Sequence, residues 1–255
     1  MPAVLLSHVS DTIAALLRIR ELPDYGGAMN GLQLQNASGT VVRLLAAVDA
    51  SLPVLKMAAA LPGPSLLLVH HGMFWKGAQM ITGAQFEKIR AAIQADLALY
   101  SAHLPLDVHP HLGNNAGLAA ALGLKKTVPF FDWKGMPLGL RAKVNLSRGA
   151  LTARLAEAVG GPVHVCPGGP EQVREVGIIT GGAGSEVSAI AATGVDTFVT
   201  GEGPHWSYPA AEEAGMNVLY GGHYATETFG VKALAAHLAK AFGLPWDFID
   251  HPTGL

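Results

Sequence analysis

Short apolar runs alternate with longer helical stretches through most of this 255-residue sequence. Strands are predicted at 41–48, 66–71 and 97–102, and the segments near 55–60 and 84–95 have the composition of helices. Such alternation is typical of α/β folds, in which helices cover a mainly parallel sheet. Because ligands bind at the carboxyl ends of parallel strands, polar residues at those positions are the first candidates for a functional site.

The same alternation resumes in the second half of the chain and predicts a second domain. Its predicted elements are strands at 173–180, 195–200 and 216–220, with helices at 186–192, 208–214 and 225–242. The segment 125–139 is rich in proline, glycine and aromatic residues, as domain boundaries often are. We therefore predict two α/β domains with mainly parallel sheets covered by helices, an N-terminal domain at 1–125 and a second domain at 126–255.

The composition excludes several classes of protein. Half of the residues are hydrophobic, 50%, which is enough to fill real cores. No apolar run approaches the ~18 residues of a membrane span, and the N-terminus lacks the basic region of a secretory signal, so we expect a cytoplasmic protein with no membrane partner. The single cysteine, Cys166, excludes an intramolecular disulfide. The net charge of -2 leaves no broad basic surface for a duplex nucleic acid, so we expect no partner of that kind.

Two adjacent histidines, His70 and His71, end the apolar run at 66–69, and Gly72 follows them. Neighbouring side chains of a regular strand point to opposite faces, so both histidines serve one site only if the strand stops there. Gly72 favours such a stop. The alternative is one buried, hydrogen-bonded histidine and one on the surface.

A second polar group, His103 and Asp107, follows the strand predicted at 97–102. Pro105 disfavours helix at the preceding residue and predicts an extended backbone. A period of two then places His103 and Asp107 on one side of the chain, facing one cavity. The alternative is a turn capped by Asp107, with His103 hydrogen-bonded within the loop.

A third group, His223 and Glu227, lies at the start of the last predicted helix. The two residues are four positions apart and share one helix face, where they can serve one metal cluster or form an ordinary surface pair. Together with His70, His71 and Asp107 they form a set of imidazoles and carboxylates without a thiolate, which suits Zn, Mn, Fe, Ni or Co. Five ligands exceed the usual three of an open catalytic zinc, but suffice for two metals ~3.5 to 4 Å apart if one carboxylate bridges them.

Two further segments follow predicted strands. The sequence GGAGSE at 181–186 opens a helix and can hold an anion through its backbone amides, or form a plain tight turn. Glu202 and His205 follow the strand at 195–200 and can act as acid, base or substrate contacts.

Several separated blocks of the chain match one known family. They are NGLQ at 30–33, HHGMFWKG at 70–77, HLPLD at 103–107, GNN at 113–115, TGE at 200–202 and GHYATE at 222–227. The sequence resembles the Nif-three-like family of dinuclear metal proteins in its bacterial short form, many of whose members carry the name GTP cyclohydrolase I type 2 homologue.

This resemblance implies a site and an assembly. The implied ligands of two divalent transition-metal ions per chain are His70, His71, Asp107, His223 and Glu227. The resemblance further implies that Glu227 bridges the ions and that His103 lies beside them. It also implies a metal cleft between the two domains, to which the segment 221–255 returns His223 and Glu227, and a toroidal homohexamer.

Two functions follow as hypotheses. The first is a dinuclear metal-dependent hydrolase that uses a metal-activated water on a nucleotide-like or purine-type small molecule, in a GTP cyclohydrolase-like reaction. His103, or less favourably Glu202, would move the proton. The second is a non-enzymatic metal-binding or regulatory protein that acts through a partner. An open coordination position distinguishes the two, because a structural site is closed by protein ligands.

Overall fold

The computed structural model describes residues 3–255 and divides into two compact units. The first unit comprises the chain up to Leu106 together with Gly230–His251, and the second comprises Asp107–Phe229 with Pro252–Leu255. The boundary lies at Leu106 and Asp107 instead of the predicted 125 and 126. The physical reason is that the segment 125–139 folds into strands of the second sheet, so it is part of a domain and does not link two domains.

The described elements follow the predicted alternation closely. Those of the first half are β1 (Val4–Leu5), α1 (Leu6–Leu16), β2 (Gly31–Leu34), β3 (Thr40–Val41), β4 (Arg43–Asp49), α2 (Leu52–Ala59), β5 (Ser65–His71), α3 (Gly83–Gln94), β6 (Leu97–Ser101), α4 (Leu104–Asp107) and α5 (Asn114–Ala121). Those of the second half are β7 (Val128–Trp133), β8 (Met136–Ser147), α6 (Arg148–Val159), β9 (His164–Pro167), β10 (Gln172–Ile178), α7 (Val187–Ala191), β11 (Thr197–Thr200), α8 (Ser207–Glu213), β12 (Asn217–Tyr220), α9 (His223–Thr226), α10 (Thr228–Phe242) and β13 (Trp246–Phe248).

The main sheet of the first unit has five strands in the order β13-β4-β5-β6-β2. Four of them run parallel, and only the edge strand β2 is antiparallel, as expected for a mainly parallel sheet. The strands β4, β5 and β6 are neighbours, so their carboxyl ends meet at one edge. Their apolar side chains pack with α2 and α3 into a buried core that includes Leu45, Leu55, Leu67, Leu97 and Leu99.

The sheet of the second unit has six strands in the order β7-β8-β10-β11-β12-β9. Only β10, β11 and β12 run parallel, while β7, β8 and β9 pair antiparallel with their neighbours, so this sheet is mixed and the prediction of a mainly parallel sheet is wrong here. For β7 and β8 the reason is a tight turn at Lys134–Gly135, which joins them as a hairpin, and hairpins are antiparallel by geometry. The three parallel strands end at Ile178, Thr200 and Tyr220.

The segment after β6 differs from the predicted extended backbone. Leu104–Asp107 forms the short helix α4, in which the Leu106 N–H donates to the His103 carbonyl over 2.8 Å. Pro105 is compatible with this helix because the first turn needs no N–H from it. The period-two argument for His103 and Asp107 is therefore wrong, although both side chains are buried as an internal site requires.

Within residues 3–255, no helix combines the length and the apolar character needed to cross a membrane.

Candidate metal centre

Three histidines of the first unit converge at the carboxyl ends of its parallel strands. His70, His71 and His103 each offer a ring nitrogen, and these nitrogens lie within 4.8 Å of one another. The rings of His70 and His71 are 4.8 Å apart, and the rings of His70 and His103 are also 4.8 Å apart. The strand stops at His71, so the two adjacent histidines face one cluster, which confirms the requirement set by the sequence.

Each histidine of this cluster holds its Nδ1 against an oxygen that can only accept. His70 Nδ1 donates to the Ala102 carbonyl over 3.0 Å, and His71 Nδ1 donates to Asp49 Oδ1 over 2.8 Å. His103 Nδ1 donates to Asp24 Oδ1 over 2.8 Å. With the proton fixed on Nδ1, the lone pair of a neutral imidazole lies on Nε2, the form in which histidine binds metals.

Asp24 is the residue that fixes His103. Its Oδ2 also accepts from Asn30 Nδ2 over 2.7 Å and from the Leu104 N–H over 3.0 Å. Although burial alone raises the pKa of the Asp24 carboxyl, the hydrogen bond and charge of His103, with the hydrogen bond from Asn30, bring this pKa below its ordinary value of 3.8. Asp24 is therefore an ionised, oriented acceptor at neutral pH.

Replacing Asp24 by asparagine is expected to lower the free energy of unfolding by about 1.5–3 kcal/mol at neutral pH, because a charged hydrogen-bond partner is lost. The depressed folded-state pKa means that the wild-type advantage is fully present above pH 3.8 and disappears as the pH falls through the lower, folded value. Urea denaturation at several pH values measures both effects.

Asp247→Asn is the matched control, since it breaks the exposed ion pair with Arg43. It is expected to cost less than about 1 kcal/mol. An Asp24→Asn variant as stable as this control would contradict the assigned role of Asp24.

Residues that follow β5 pack closely around the histidine cluster. Gly72 leaves no room for a Cβ, which would collide with the amide of Gln33, and this amide accepts from the Met73 N–H over 2.8 Å. The ring of Trp75 packs edge-on against His103 at 4.7 Å and against His71 at 5.6 Å. The segment 70–77 thus bends at Gly72, and its Trp75 ring contacts His71 and His103.

The second unit holds its own group at the ends of its parallel strands. His223, at the start of α9, has its Nδ1 2.9 Å from Glu202 Oε1 and its Nε2 3.2 Å from Glu227 Oε2. Glu227 is almost fully buried, with 3% of its surface exposed. The predicted i, i+4 pair is therefore part of a packed site and not a surface pair.

The carboxylates of Glu227 and Glu202 favour the protonated form of His223. Burial lowers the pKa of its imidazole, but the hydrogen bond and charge of Glu227, followed by those of Glu202, raise the pKa to about 9. A metal at Nε2 would replace that proton, while Nδ1 keeps its bond to Glu202, the carboxylate–histidine arrangement common at metal sites.

Asp107 belongs to the second unit and not, as predicted, to the domain that carries His70, His71 and His103. Its Oδ1 accepts from Asn114 Nδ2 over 2.7 Å and lies 3.4 Å from the Thr180 hydroxyl. These partners come from the start of α5 and the end of β10, so elements of the second unit fix its orientation.

Gly181 lies between Asp107 and His223 in the sequence and packs against Glu227. It follows Thr180, has φ +70°, and a Cβ at this position would overlap Glu227 Oε1. Its carbonyl accepts from the N–H groups of Gly201 and Glu202 over 2.9 and 3.0 Å, which ties β10 to β11. The segment then continues as a 3-10 helix over Ala183–Glu186 that leads into α7, and the Gly184 N–H donates to the Glu202 carbonyl over 3.0 Å.

The two groups fit divalent transition metals. One unit presents three imidazoles, and the other presents the imidazole of His223 beside the carboxylate of Glu227. Asp107 is also in the second unit, where it is bonded to Asn114. Nitrogen and oxygen donors without thiolate are the set predicted from the sequence. Sequence reasoning missed Asp24, which sits in a loop 79 positions from His103 and carries no motif of its own.

Comparisons with known proteins identify the relatives of this chain. The family model Duf34/NIF3 (NGG1p interacting factor 3) matches residues 4–253. A GTP cyclohydrolase 1 type 2 homologue of Deinococcus radiodurans is 44% identical over 241 residues, covering 94% of this chain and 90% of the relative. Another of the same name, from Halobacterium salinarum, is 41% identical and covers 98% of this chain and 99% of the relative.

Solved structures show the same fold. The protein ybgI, described as of unknown function, superposes with a TM-score of 0.91 at 34% identity, covering 99% of this chain and 100% of that chain. TTHA1606 from Thermus thermophilus superposes with a TM-score of 0.88 at 39% identity, with the same coverage of 99% and 100%. With the family model matched over nearly its whole length, the chain belongs to the Duf34/NIF3 family.

Proposed function

We propose that this chain is a dinuclear metal-dependent hydrolase that acts on a nucleotide-like or purine-type substrate. The observation that carries the proposal is shared by the three proposed histidine ligands: His70, His71 and His223 each direct Nδ1 to an oxygen acceptor. Side chains held in this way are prepared to bind metal through Nε2. The names of the curated relatives support a purine nucleotide as the class of substrate.

The proposed ligands of two divalent ions are His70, His71, Asp107, His223 and Glu227. When bound, two such ions supply Lewis-acid activation of a water at neutral pH. That both sets of ligands serve one centre in a cleft between the domains, with Glu227 as the bridge, stays a prediction. If this prediction is right, full metal content needs ligands from both units.

His103 is the proposed general base. Asp24 holds its Nδ1 proton, so Nε2 is the atom that accepts a proton from the attacking water, and the Asp24 carboxylate then stabilises the imidazolium. Glu202 was predicted to be catalytic, but we propose a different role for it. Its carboxylate holds His223 Nδ1, so we assign it to orienting His223.

Metal uptake by metal-free protein is expected to release a proton from His223 at pH 7 to 8. The imidazole with a pKa of about 9 is protonated there, and metal and proton compete for Nε2, so apparent affinity rises as the pH approaches 9. Calorimetric metal titrations in two buffers of different ionisation enthalpy count the protons released.

Glu202→Gln is the companion variant for this titration, because it removes one of the two flanking charges while keeping the side-chain size. Fewer protons should be released by this variant at the same pH. Equal proton release by wild type and His223→Ala would show that His223 is not the group displaced.

The test of activity uses metal-reconstituted full-length protein incubated with GTP and with other purine nucleotides. We expect metal-dependent formation of formate and a ring-opened or pterin product, or hydrolysis of another nucleotide bond, followed by mass spectrometry. Chelator-treated protein and the Glu227→Ala variant are the inactive controls. No metal-dependent product from any nucleotide in the set would overturn the hydrolase proposal.

The alternative function is a metal-binding protein that acts through a macromolecular partner, which the family description as an interacting factor favours. It predicts full metal content without any turnover and a metal whose coordination is closed by protein ligands. Metal-reconstituted protein without exchangeable water at the metal would favour this alternative over hydrolysis.

We also propose the toroidal homohexamer implied by the family resemblance. Light scattering coupled to size-exclusion chromatography is expected to give six times the chain mass of 26.5 kDa. A monomer or dimer at micromolar concentration would contradict it.

A further inference from the structure

A cavity of about 880 Å³ lies within the second unit. Its walls come from the end of β11, the starts of β9 and α8, and the last residues of the chain. The volume falls in the range of about 300–1,000 Å³ that is typical of small-molecule sites. Glu202 is one of its lining residues, so the cavity adjoins the carboxylate that holds His223.

Three rings form one wall of this cavity. His164 lies 5.8 Å from the ring of Tyr208 and 5.9 Å from the ring of Tyr220. The pairing of β9 with β12 places His164 directly opposite Tyr220, so two of the rings are fixed by the sheet. Aromatic side chains arranged in this way bind planar rings by stacking, with little dependence on the identity of the base.

Two side chains of the cavity present acceptors, beside the imidazoles of His164 and His205. Ser207 is buried, and its hydroxyl lies 2.6 Å from the Pro204 carbonyl and 2.6 Å from the Tyr220 hydroxyl. The carbonyl can only accept, so the serine proton goes to Pro204 and the tyrosine proton goes to Ser207 Oγ. The Tyr220 oxygen keeps a lone pair for a ligand, and the Glu202 carboxylate is a second acceptor.

The charges of the wall disfavour a phosphate in this cavity. None of the described residues that line it is a lysine or an arginine, and Glu202 contributes a carboxylate. Phosphate sites in proteins rely on cationic side chains or on backbone amides directed at the anion. A ligand with N–H donors and without negative charge matches the wall better.

We propose that this cavity binds the planar nitrogen heterocycle of the substrate, a nucleobase or a ring of similar size and hydrogen-bonding pattern, with any phosphate held outside it. Tyr208, Tyr220 and His164 contact the ring face, and the acceptors of Tyr220 and Glu202 bind its N–H groups. The proposal deepens the proposed function and rests on it in one respect, since it takes the bound heterocycle to be part of the hydrolysed molecule.

Calorimetric titration of the full chain with guanosine, ribose and GMP tests the proposal, with and without chelator treatment. Guanosine is expected to bind saturably with a sub-millimolar Kd, ribose not to bind, and GMP to bind no more tightly than guanosine. Loss of stacking in Tyr208→Ala should weaken guanosine binding at least about tenfold. Tyr220→Phe keeps the ring, and should weaken it about threefold to tenfold through the lost acceptor.

Trp206→Ala is the matched control, because Trp206 is a half-exposed aromatic residue two positions before Tyr208 and does not line the cavity. Its guanosine affinity should stay within about twofold of wild type. Equal binding of guanosine and ribose, or equal affinities of the Tyr208→Ala and Trp206→Ala variants, would overturn the proposal. Metal content is measured on each protein, so that the two proposals fail separately. No guanosine binding by wild-type protein with full metal content refutes the cavity proposal alone, whereas guanosine binding by protein that takes up no metal on reconstitution refutes the proposed metal site alone.

Discussion

The double variant His70→Ala, Glu227→Ala is expected to retain less than about 10% of the transition metal that wild-type protein binds on reconstitution. Each unit loses one proposed ligand, and removing ligands or the groups that orient them lowers metal affinity by ~10-fold to 100-fold or more per residue. Both side chains are buried, His70 with 0% and Glu227 with 3% of its surface exposed. Elemental analysis of the reconstituted protein measures the loss.

His237→Ala is the control for this experiment, because His237 is an exposed histidine of α10. It should keep full metal content, and circular dichroism should show the same fold for all variants. The single variants His70→Ala and Glu227→Ala then separate the two units. If both sets serve one dinuclear centre, each single variant lowers the metal content, whereas an unchanged content in the folded double variant would refute the ligand assignment.

Gly181→Ala is expected to destabilise the protein by about 2–4 kcal/mol and to weaken metal binding at the same time. The left-handed backbone at φ +70° costs an L-residue about 1–2 kcal/mol, and forcing a methyl group into a packed site costs about 1–3 kcal/mol. Because the new Cβ overlaps Glu227 Oε1, the carboxylate that pairs with His223 must shift. Thermal denaturation and metal titration measure the two effects.

Gly160→Ala separates the backbone cost from the collision. Gly160 ends α6 with φ +65°, and a Cβ there meets nothing within 4 Å. This variant should lose only about 1 kcal/mol and bind metal as wild type does. If the Gly181→Ala and Gly160→Ala variants have the same stability and the same metal affinity, the close approach of Gly181 to Glu227 does not affect metal binding.

Much of the fold could be predicted because strand and helix lengths follow from local patterns. The apolar runs at 41–48 and 66–71 became β4 and β5 within two residues, and the predicted alternation of strands and helices from 173 to 220 is found as β10, α7, β11, α8 and β12. The domain boundary could not be predicted from composition, since prolines and glycines mark tight hairpins as readily as linkers. The return of Gly230–His251 to the first unit depends on pairing between β13 and β4, which no local pattern encodes.

The candidate site divides in the same way. Histidines at strand ends and the His223 to Glu227 spacing identified residues that the structure gathers within each unit. The acceptors that orient them were harder to find. Asp24 reaches His103 from a loop, and Asp49 pairs with His71 across neighbouring strands, so both contacts depend on tertiary structure. Pro105 was misleading because proline is tolerated at the start of a helix as well as in extended chain.

Anomalous X-ray diffraction from crystals of the zinc-loaded full chain tests the central claim most directly. We expect two anomalous peaks per chain, with Nε2 of His70, His71 and His223 at ~2.0–2.1 Å from zinc and each Nδ1 still bonded to its present acceptor. Peaks elsewhere, or ligation through Nδ1 with the bonds to Asp49 and Glu202 broken, would contradict the claim that these acceptors prepare the histidines for metal.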